Sequence, residues 1–410
     1  MFLVFLALLK SHIYGAPRKP AGKRVLFLTI SQIEIDARIN KVARSMAESG
    51  YEVTIIAWDL TLRKPPSEKV CPGVSYRWVD YIYPLSLHRY YQDAFVMAGL
   101  RETFDYVHAN DLTTLLSAWL LSKLRNVPLI YDSHEIWSEN VFYDRNLKKY
   151  IPHRAWIRWI LKHLEKRLLP DADIFLTVSY GICVWFKDQY NLKKLPLLLP
   201  NYPELNLLEP HMDSSLRVRC GLSQDKFLIL YLGGVNPARN IESVIESLQY
   251  LPDECVFIIQ GPGINVYGKD YVRLASSLGV QHRVFCLSGV GRNEVVAAAQ
   301  SADCGVLMLQ NLCLNFYFYY PNKLFEYMLA GLPVGVSNFP TVSELVNTEQ
   351  CGVTFDPHDP KDIASALRWL YEHPNERNRM AERGKQSVIE KYNWNVAVKA
   401  LLDEYDRLRG

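Results

Sequence analysis

From residue 23 onward, the chain alternates short apolar runs with stretches whose apolar positions recur every three or four residues. Residues 25–30, 53–57, 106–108 and 128–131 are apolar and too short for helices, and so read as buried strands. Residues 37–49, 113–124 and 154–169 carry helical spacing, the first closed by Gly50, and a further strand is expected at 174–178. Between 195 and 226 the rhythm breaks into Pro-rich and polar sequence, including Pro200-Asn201-Tyr202-Pro203 and Pro210-His211-Met212-Asp213, which reads as a linker. Strands then recur at 227–232, 256–259, 284–287 and 304–308. This βα alternation predicts two doubly wound α/β domains with parallel sheets and helices on both faces. The boundaries expected are an extension at 1–22, a first domain at 23–202, a second at 203–394, and a C-terminal helix at 395–410 returning to the first. Ligands of such sheets sit beyond the carboxyl ends of the strands, so the expected site is a cleft where the two sets of ends face each other.

Composition narrows the class. The 410 residues are 49% hydrophobic, enough for a core in each domain, and the net charge of +3 argues against a dedicated nucleic-acid binder. Eight cysteines without a C-x-x-C pair, several of them within apolar runs, read as free thiols of a reducing compartment. No Asn-x-Ser/Thr acceptor occurs, in keeping with a cytoplasmic protein. Residues 2–9 form an apolar run that would serve as the core of a signal peptide, but it lacks a basic start, and Pro17 follows the poor cleavage site Gly15-Ala16. A frayed or membrane-touching extension is favoured over a processed signal.

The most informative stretch is 320–334. Pro321 suits a first helical turn, Gly331 suits the residue past a helix end, and Pro333 blocks continuation, which predicts a short helix. Lys323 and Glu326, three apart, share a face, with the cation beside the unpaired N–H groups of the first turn. This arrangement fits a nucleoside diphosphate, with pyrophosphate on Lys323 and the helix end and ribose hydroxyls on Glu326. The competing reading is an ordinary amphipathic helix with a surface Lys–Glu pair. Gly233-Gly234, between a strand and a helix that Asn240 would cap, permits close backbone approach to an anion, and Arg239 would grip a phosphate oxygen. Gln260-Gly261-Pro262-Gly263 permits the same approach.

In the first domain, His108-Ala109-Asn110-Asp111 and Tyr131-Asp132-Ser133-His134-Glu135 leave the ends of consecutive strands. If those strands are neighbours, both polar sets project toward the expected cleft. Asp111 also reads as a helix cap, and His134 as a histidine satisfied by backbone.

Together, Asp36-x-Arg38, His108-x-x-Asp111, the 131–135 loop, Pro200-Asn201-Tyr202-Pro203 and the 321–334 block occur in the order of retaining glycosyltransferases of family four. The resemblance covers about residues 23–405 and implies the GT-B fold, two Rossmann-like domains facing across a cleft. It implies transfer of a sugar from a nucleoside-diphosphate donor to a hydroxyl acceptor, a glycan or lipid-linked precursor, with retention and with neither metal nor other cofactor. Donor-nucleotide roles fall on Gly233, Gly234, Arg239, Asn322, Lys323 and Glu326. Catalytic roles fall on His134, Arg239 and Lys323, and His108, Asp111, His134 and Glu135 line the donor-sugar or acceptor cleft. The chain departs from the family pattern twice: Phe318 stands where a first glutamate is common, eight positions before Glu326, and Gly234 stands where many members have Arg. Two other functions stay open: a catalytically silent relative that binds nucleotide or a partner, and a nucleotide-sugar epimerase on the same fold. Asp171-x-Asp173 resembles a metal-binding pair of another transferase fold and is assigned no role.

Residues 145–167 carry eight Lys or Arg against one Glu, with Trp156 and Trp159 interleaved. The composition fits a peripheral contact with an anionic membrane surface, and equally a solvated basic helix.

Overall fold

The computed structural model describes residues 20–34, 36–59, 64, 65, 67–80, 88–144, 147, 149–208 and 215–409. The apolar run at 2–9, the Gly15–Ala16 site, Arg145, Lys148 and the Pro210–Asp213 segment lie outside them. The chain divides into two compact units, one comprising Met1–Pro200 with Val398–Gly410, the other Asn201–Ala397.

In the first unit the strands are β1 (Arg24–Leu28), β2 (Glu52–Asp59), β3 (Ser67–Cys71), β4 (Val74–Asp80), β5 (Tyr106–Asn110), β6 (Leu129–Ser133), β7 (Val141–Asp144), β8 (Lys149–Pro152), β9 (Ile174–Thr177) and β10 (Leu197–Leu198). Eight form one sheet in the order β10-β9-β6-β5-β1-β2-β4-β3, parallel except for β3, while β7 and β8 form a separate antiparallel hairpin. β1, β5 and β6 are buried almost throughout, as expected of strands covered on both faces. β5 and β6 are direct neighbours, with Asn110 opposite Asp132, so the two polar sets do leave adjacent strand ends. The chain changes direction across the sheet between β5 and β1, the position where such sheets open a crevice.

The second unit contains β11 (Phe227–Leu232), β12 (Cys255–Gln260), β13 (Val284–Leu287), β14 (Cys304–Leu307), β15 (Val334–Ser337) and β16 (Gly352–Phe355), ordered β13-β12-β11-β14-β15-β16 and all parallel. This is the dinucleotide-fold order, with its switch point between β11 and β14. Alternate residues of β11, Phe227, Ile229 and Tyr231, join a core with Ile241, Val244, Ile245 and Leu248, while Leu228, Leu230 and Leu232 are buried on the other face. The final helix, Trp394–Arg409, starts in the second unit, where Trp394 N donates to Pro203 O at 2.9 Å, and its residues from Val398 belong to the first. Among the described residues no helix is long and apolar enough to cross a membrane.

Candidate functional site

In the second unit the candidate residues gather at the carboxyl ends of β11 and β14. The helix Asn322–Leu329 buries Leu324, Phe325, Tyr327, Met328 and Leu329, which leaves Asn322, Lys323 and Glu326 on its outer side. Tyr202 of the Pro200–Pro203 motif packs edge-on against Phe325 at 4.6 Å and fixes the helix from behind. Tyr327 fixes it from within: its hydroxyl accepts from Leu232 N at 2.7 Å, and its ring lies so close to Gly305 that a β-carbon there would be 2.3 Å away. Pro321 is the N-cap (φ −73°, ψ 136°) rather than a residue of the first turn, because the chain enters the helix extended. Gly331, at φ +75°, ends it in the left-handed conformation that glycine accepts freely.

The Gly233–Gly234 loop is pressed between two partners. Gly233 N donates to Gln260 O and Val235 N to Pro262 O, each at 2.8 Å, locking it to the second glycine loop. That approach requires Gly261, since a β-carbon there would lie 1.8 Å from Gly233 O. On the other side Lys323 crosses the loop, its Cε 1.5 Å from where a Gly233 β-carbon would be. Burial lowers the Lys323 pKa and the Arg239 charge lowers it further, while Glu326 opposes both. Arg239 and Lys323, 84 positions apart, thus share one electrostatic environment. Arg239 Nε and Tyr319 Oη are buried without a hydrogen-bond partner, and Arg239 acts on Tyr319 by charge as well. Buried donors left unpaired are uncommon and call for an explanation, of which a ligand that supplies acceptors is one. Asn240 does precede its helix, but it adopts φ 54°, ψ 37° and makes no cap bond; its amide instead donates to Pro357 O at 2.7 Å.

In the first unit the polar groups form one network. Arg38 sits where Asp36 starts its helix by accepting from Ile39 N at 3.1 Å. Its guanidinium grips Asp132 through Nε (3.2 Å) and Nη2 (2.8 Å), and its third nitrogen reaches Leu199 O at 2.5 Å. The His134 ring stands between two carboxylates, Nδ1 3.3 Å from Asp111 and Nε2 3.4 Å from Asp132. Burial alone would depress its pKa, but the two anions outweigh burial and raise it to about 9. Asp111 precedes its helix without capping it: it takes φ 68°, ψ 164°, and its carboxylate accepts from His134 N at 2.8 Å. This backbone conformation costs a non-glycine residue roughly 1–3 kcal/mol and is typical of functional sites. Burial and the Asp111 charge raise Glu135 to about 7, and Asn140 donates to it at 2.6 Å.

His108 is completely buried, with Nδ1 2.9 Å from Tyr405 Oη, and burial pushes its pKa down to about 3. Its Nε2 lies 3.9 Å from Asp132 without a hydrogen-bond partner, and the buried ring does not line an open surface. The sequence alone gives Arg38 and Asp132 no role beyond their place in the shared motifs, and gives Tyr319 and Tyr405 none. For the first two the available signal was an arginine on the buried side of an amphipathic helix, matched by an aspartate at a strand end. Asp171 and Asp173 are occupied structurally, accepting from Trp119 Nε1 at 2.6 Å and Leu129 N at 2.9 Å.

Solved structures share this architecture. Sucrose-phosphate synthase from Thermosynechococcus elongatus superposes with a TM-score of 0.75 at 17% identity, covering 94% of this chain and 99% of that one. HepE from Anabaena, in complex with UDP and glucose, gives 0.73 at 15% identity, covering 94% and 100%. At these identities the likeness defines the fold, and the fold is that of the GT-B glycosyltransferases. The D-inositol 3-phosphate glycosyltransferase of Xylanimonas cellulosilytica is 22% identical over 423 residues, 94% of this chain and 96% of that protein. The model for group 1 glycosyl transferases matches residues 214–387, and that for the glycosyl transferase 4-like domain matches residues 35–182. The chain belongs to the group 1 glycosyltransferases.

Proposed function

We propose that this protein moves a sugar from a nucleoside-diphosphate donor to a hydroxyl of a glycan or lipid-linked acceptor, with retention and without a bound metal. The observation that carries this reading is Lys323 laid across Gly233 beside the unpaired, buried Arg239 Nε. Two cations and a helix amino end at one switch point are suited to the charge that builds on a departing diphosphate, the role a divalent cation otherwise fills. Glu326, one turn deeper, would accept from ribose hydroxyls.

In the transfer, the bond between the anomeric carbon and the β-phosphate oxygen breaks and the acceptor oxygen bonds to the same face. The acceptor proton passes to the departing phosphate, so no side-chain nucleophile is required. His134, held protonated by Asp111 and Asp132 at neutral pH, is suited to donate a hydrogen bond to a sugar hydroxyl rather than to take a proton. UDP-sugars come first among donors to test, since HepE was solved with UDP.

Incubation with a panel of nucleoside-diphosphate sugars and hydroxyl acceptors should release nucleoside diphosphate only when acceptor is present, and proton coupling at the new linkage should report the donor's anomeric configuration. Interconversion of free nucleotide-sugars would instead mean epimerisation. Binding without turnover across the panel would mean a silent relative.

A further inference from the structure

Seventeen large apolar side chains are exposed among the described residues, and six of them fall between 142 and 160: Phe142 (48%), Tyr143, Leu147 (58%), Trp156 (59%), Trp159 (60%) and Ile160. They occupy the β7–β8 hairpin and the helix Ala155–Leu168 that follows it. The Phe142 ring meets His153 edge-on at 4.4 Å, so the hairpin adjoins the start of the helix.

The helix is anchored by its inner side. Leu168 is buried in the core with Leu161 and Leu164 packed against it, and Glu165 accepts from Tyr131 and Tyr190 at 2.6 Å each. Trp156, Trp159 and Ile160 lie at spacings of three and four, and His163 and Arg167 continue the same outer stripe. These rings contribute nothing to the core and leave apolar surface in water, which a folded chain rarely retains in clusters without use.

The outward charge on β8 and the helix is positive, while across the hairpin Asp144 stands opposite Lys149. Lys149, Arg154, Lys166 and Arg167 are exposed, and the only acidic residue from 149 to 167 is Glu165, which is buried. Arg158 and Lys162 belong to a different group, since both turn to Glu139. Of the eight cations at 145–167, six are among the described residues, and four of those face outward.

We propose that this surface docks the protein on an anionic lipid bilayer, with Trp156, Trp159 and Ile160 entering the headgroup boundary and the four cations meeting lipid phosphates. A helix stripe of indole rings flanked by cations matches a negatively charged, deformable interface, where indole is apolar on its face and polar at its N–H. The inference goes beyond sugar transfer and is tested without it.

The full chain should co-sediment with vesicles of phosphatidylcholine and phosphatidylglycerol and not with phosphatidylcholine alone, and its tryptophan emission should shift to the blue. Replacing Lys149, Arg154, Lys166 and Arg167 with Gln should weaken vesicle binding by about fivefold per charge at low salt. The W156A/W159A pair should abolish the emission shift while leaving the melting temperature near that of the parent, because both rings are exposed. A control pair, R158Q/K162Q, should bind vesicles more nearly as the parent does. Equal sedimentation with neutral and anionic vesicles, parent-like binding by the four-charge variant, or a dimer abolished by W156A/W159A in a chain that binds no vesicles would each overturn the proposal.

Discussion

Lys323 Nζ lies 2.4 Å from the point where a β-carbon of Gly233 would stand, so the missing side chain at 233 sets the ammonium's position. Gly233→Ala must push Lys323 away, and it also strains a backbone held at φ +153°, a conformation that residues with a side chain rarely adopt. The variant is expected to melt below the parent while still folding, and to lose nucleoside-diphosphate affinity about as Lys323→Ala does. Parent-like affinity, measured by calorimetry, would show that Lys323 does not need this placement.

Glu326 is half-buried on the outer side of a helix whose inner side is fixed by Phe325 and Tyr327. Glu326→Ala should leave the fold intact and weaken nucleoside-diphosphate binding by roughly 1.5–3 kcal/mol, the contribution of hydrogen bonds to a charged group. A nucleotide lacking both ribose hydroxyls should bind the variant and the parent alike.

Arg38 and Asp132 are both buried and paired through two nitrogens. Removing one partner strands the other charge away from water, so Asp132→Asn or Arg38→Met is expected to destabilise the first unit by about 3–5 kcal/mol. Chemical denaturation gives the value, and a loss under about 1 kcal/mol would mean that the pair is hydrated.

The βα grammar, the neighbouring strands behind 108–111 and 131–135, and the short helix bounded by Gly331 were legible because apolar period and helix-stop chemistry are local. Contacts closed only by topology were not. His108 meets Tyr405 across 297 positions, and Asp132 turns to Arg38 across 94, so neither pair leaves a local pattern. Conformation could also contradict residue type. Asp111 and Asn240 stand at helix starts, as cap residues should, yet both adopt positive φ and send their side chains elsewhere. Pro321 suited a first turn, but the extended entry made it the cap.

His134 provides a pH signature. Its folded pKa of about 9 exceeds the usual histidine value near 6.5, so the folded state holds a proton that the unfolded state releases. That contribution is complete below about pH 6.5 and is lost as pH rises through about 9, an effect on the order of 1–3 kcal/mol. Burial raises Glu135 and Glu165 to about 7, and they act in the same direction but over a lower range. Urea denaturation of the parent should therefore give lower stability at pH 9.5 than at pH 7.5, with the difference much reduced in His134→Gln. An unchanged difference would contradict a protonated His134.

The central claim is that Arg239 and Lys323 hold one diphosphate, and calorimetry on Arg239→Ala, Lys323→Ala and the double variant tests it most directly. The ligand is the nucleoside diphosphate that raises the parent's melting temperature most, with its bare nucleoside as control. Each single variant should lose affinity for the diphosphate and keep affinity for the nucleoside, and the double variant should depart from the sum of the two losses because the cations share a partner. Diphosphate affinity that is unchanged in either single variant, or losses that are equal for diphosphate and nucleoside, would contradict it.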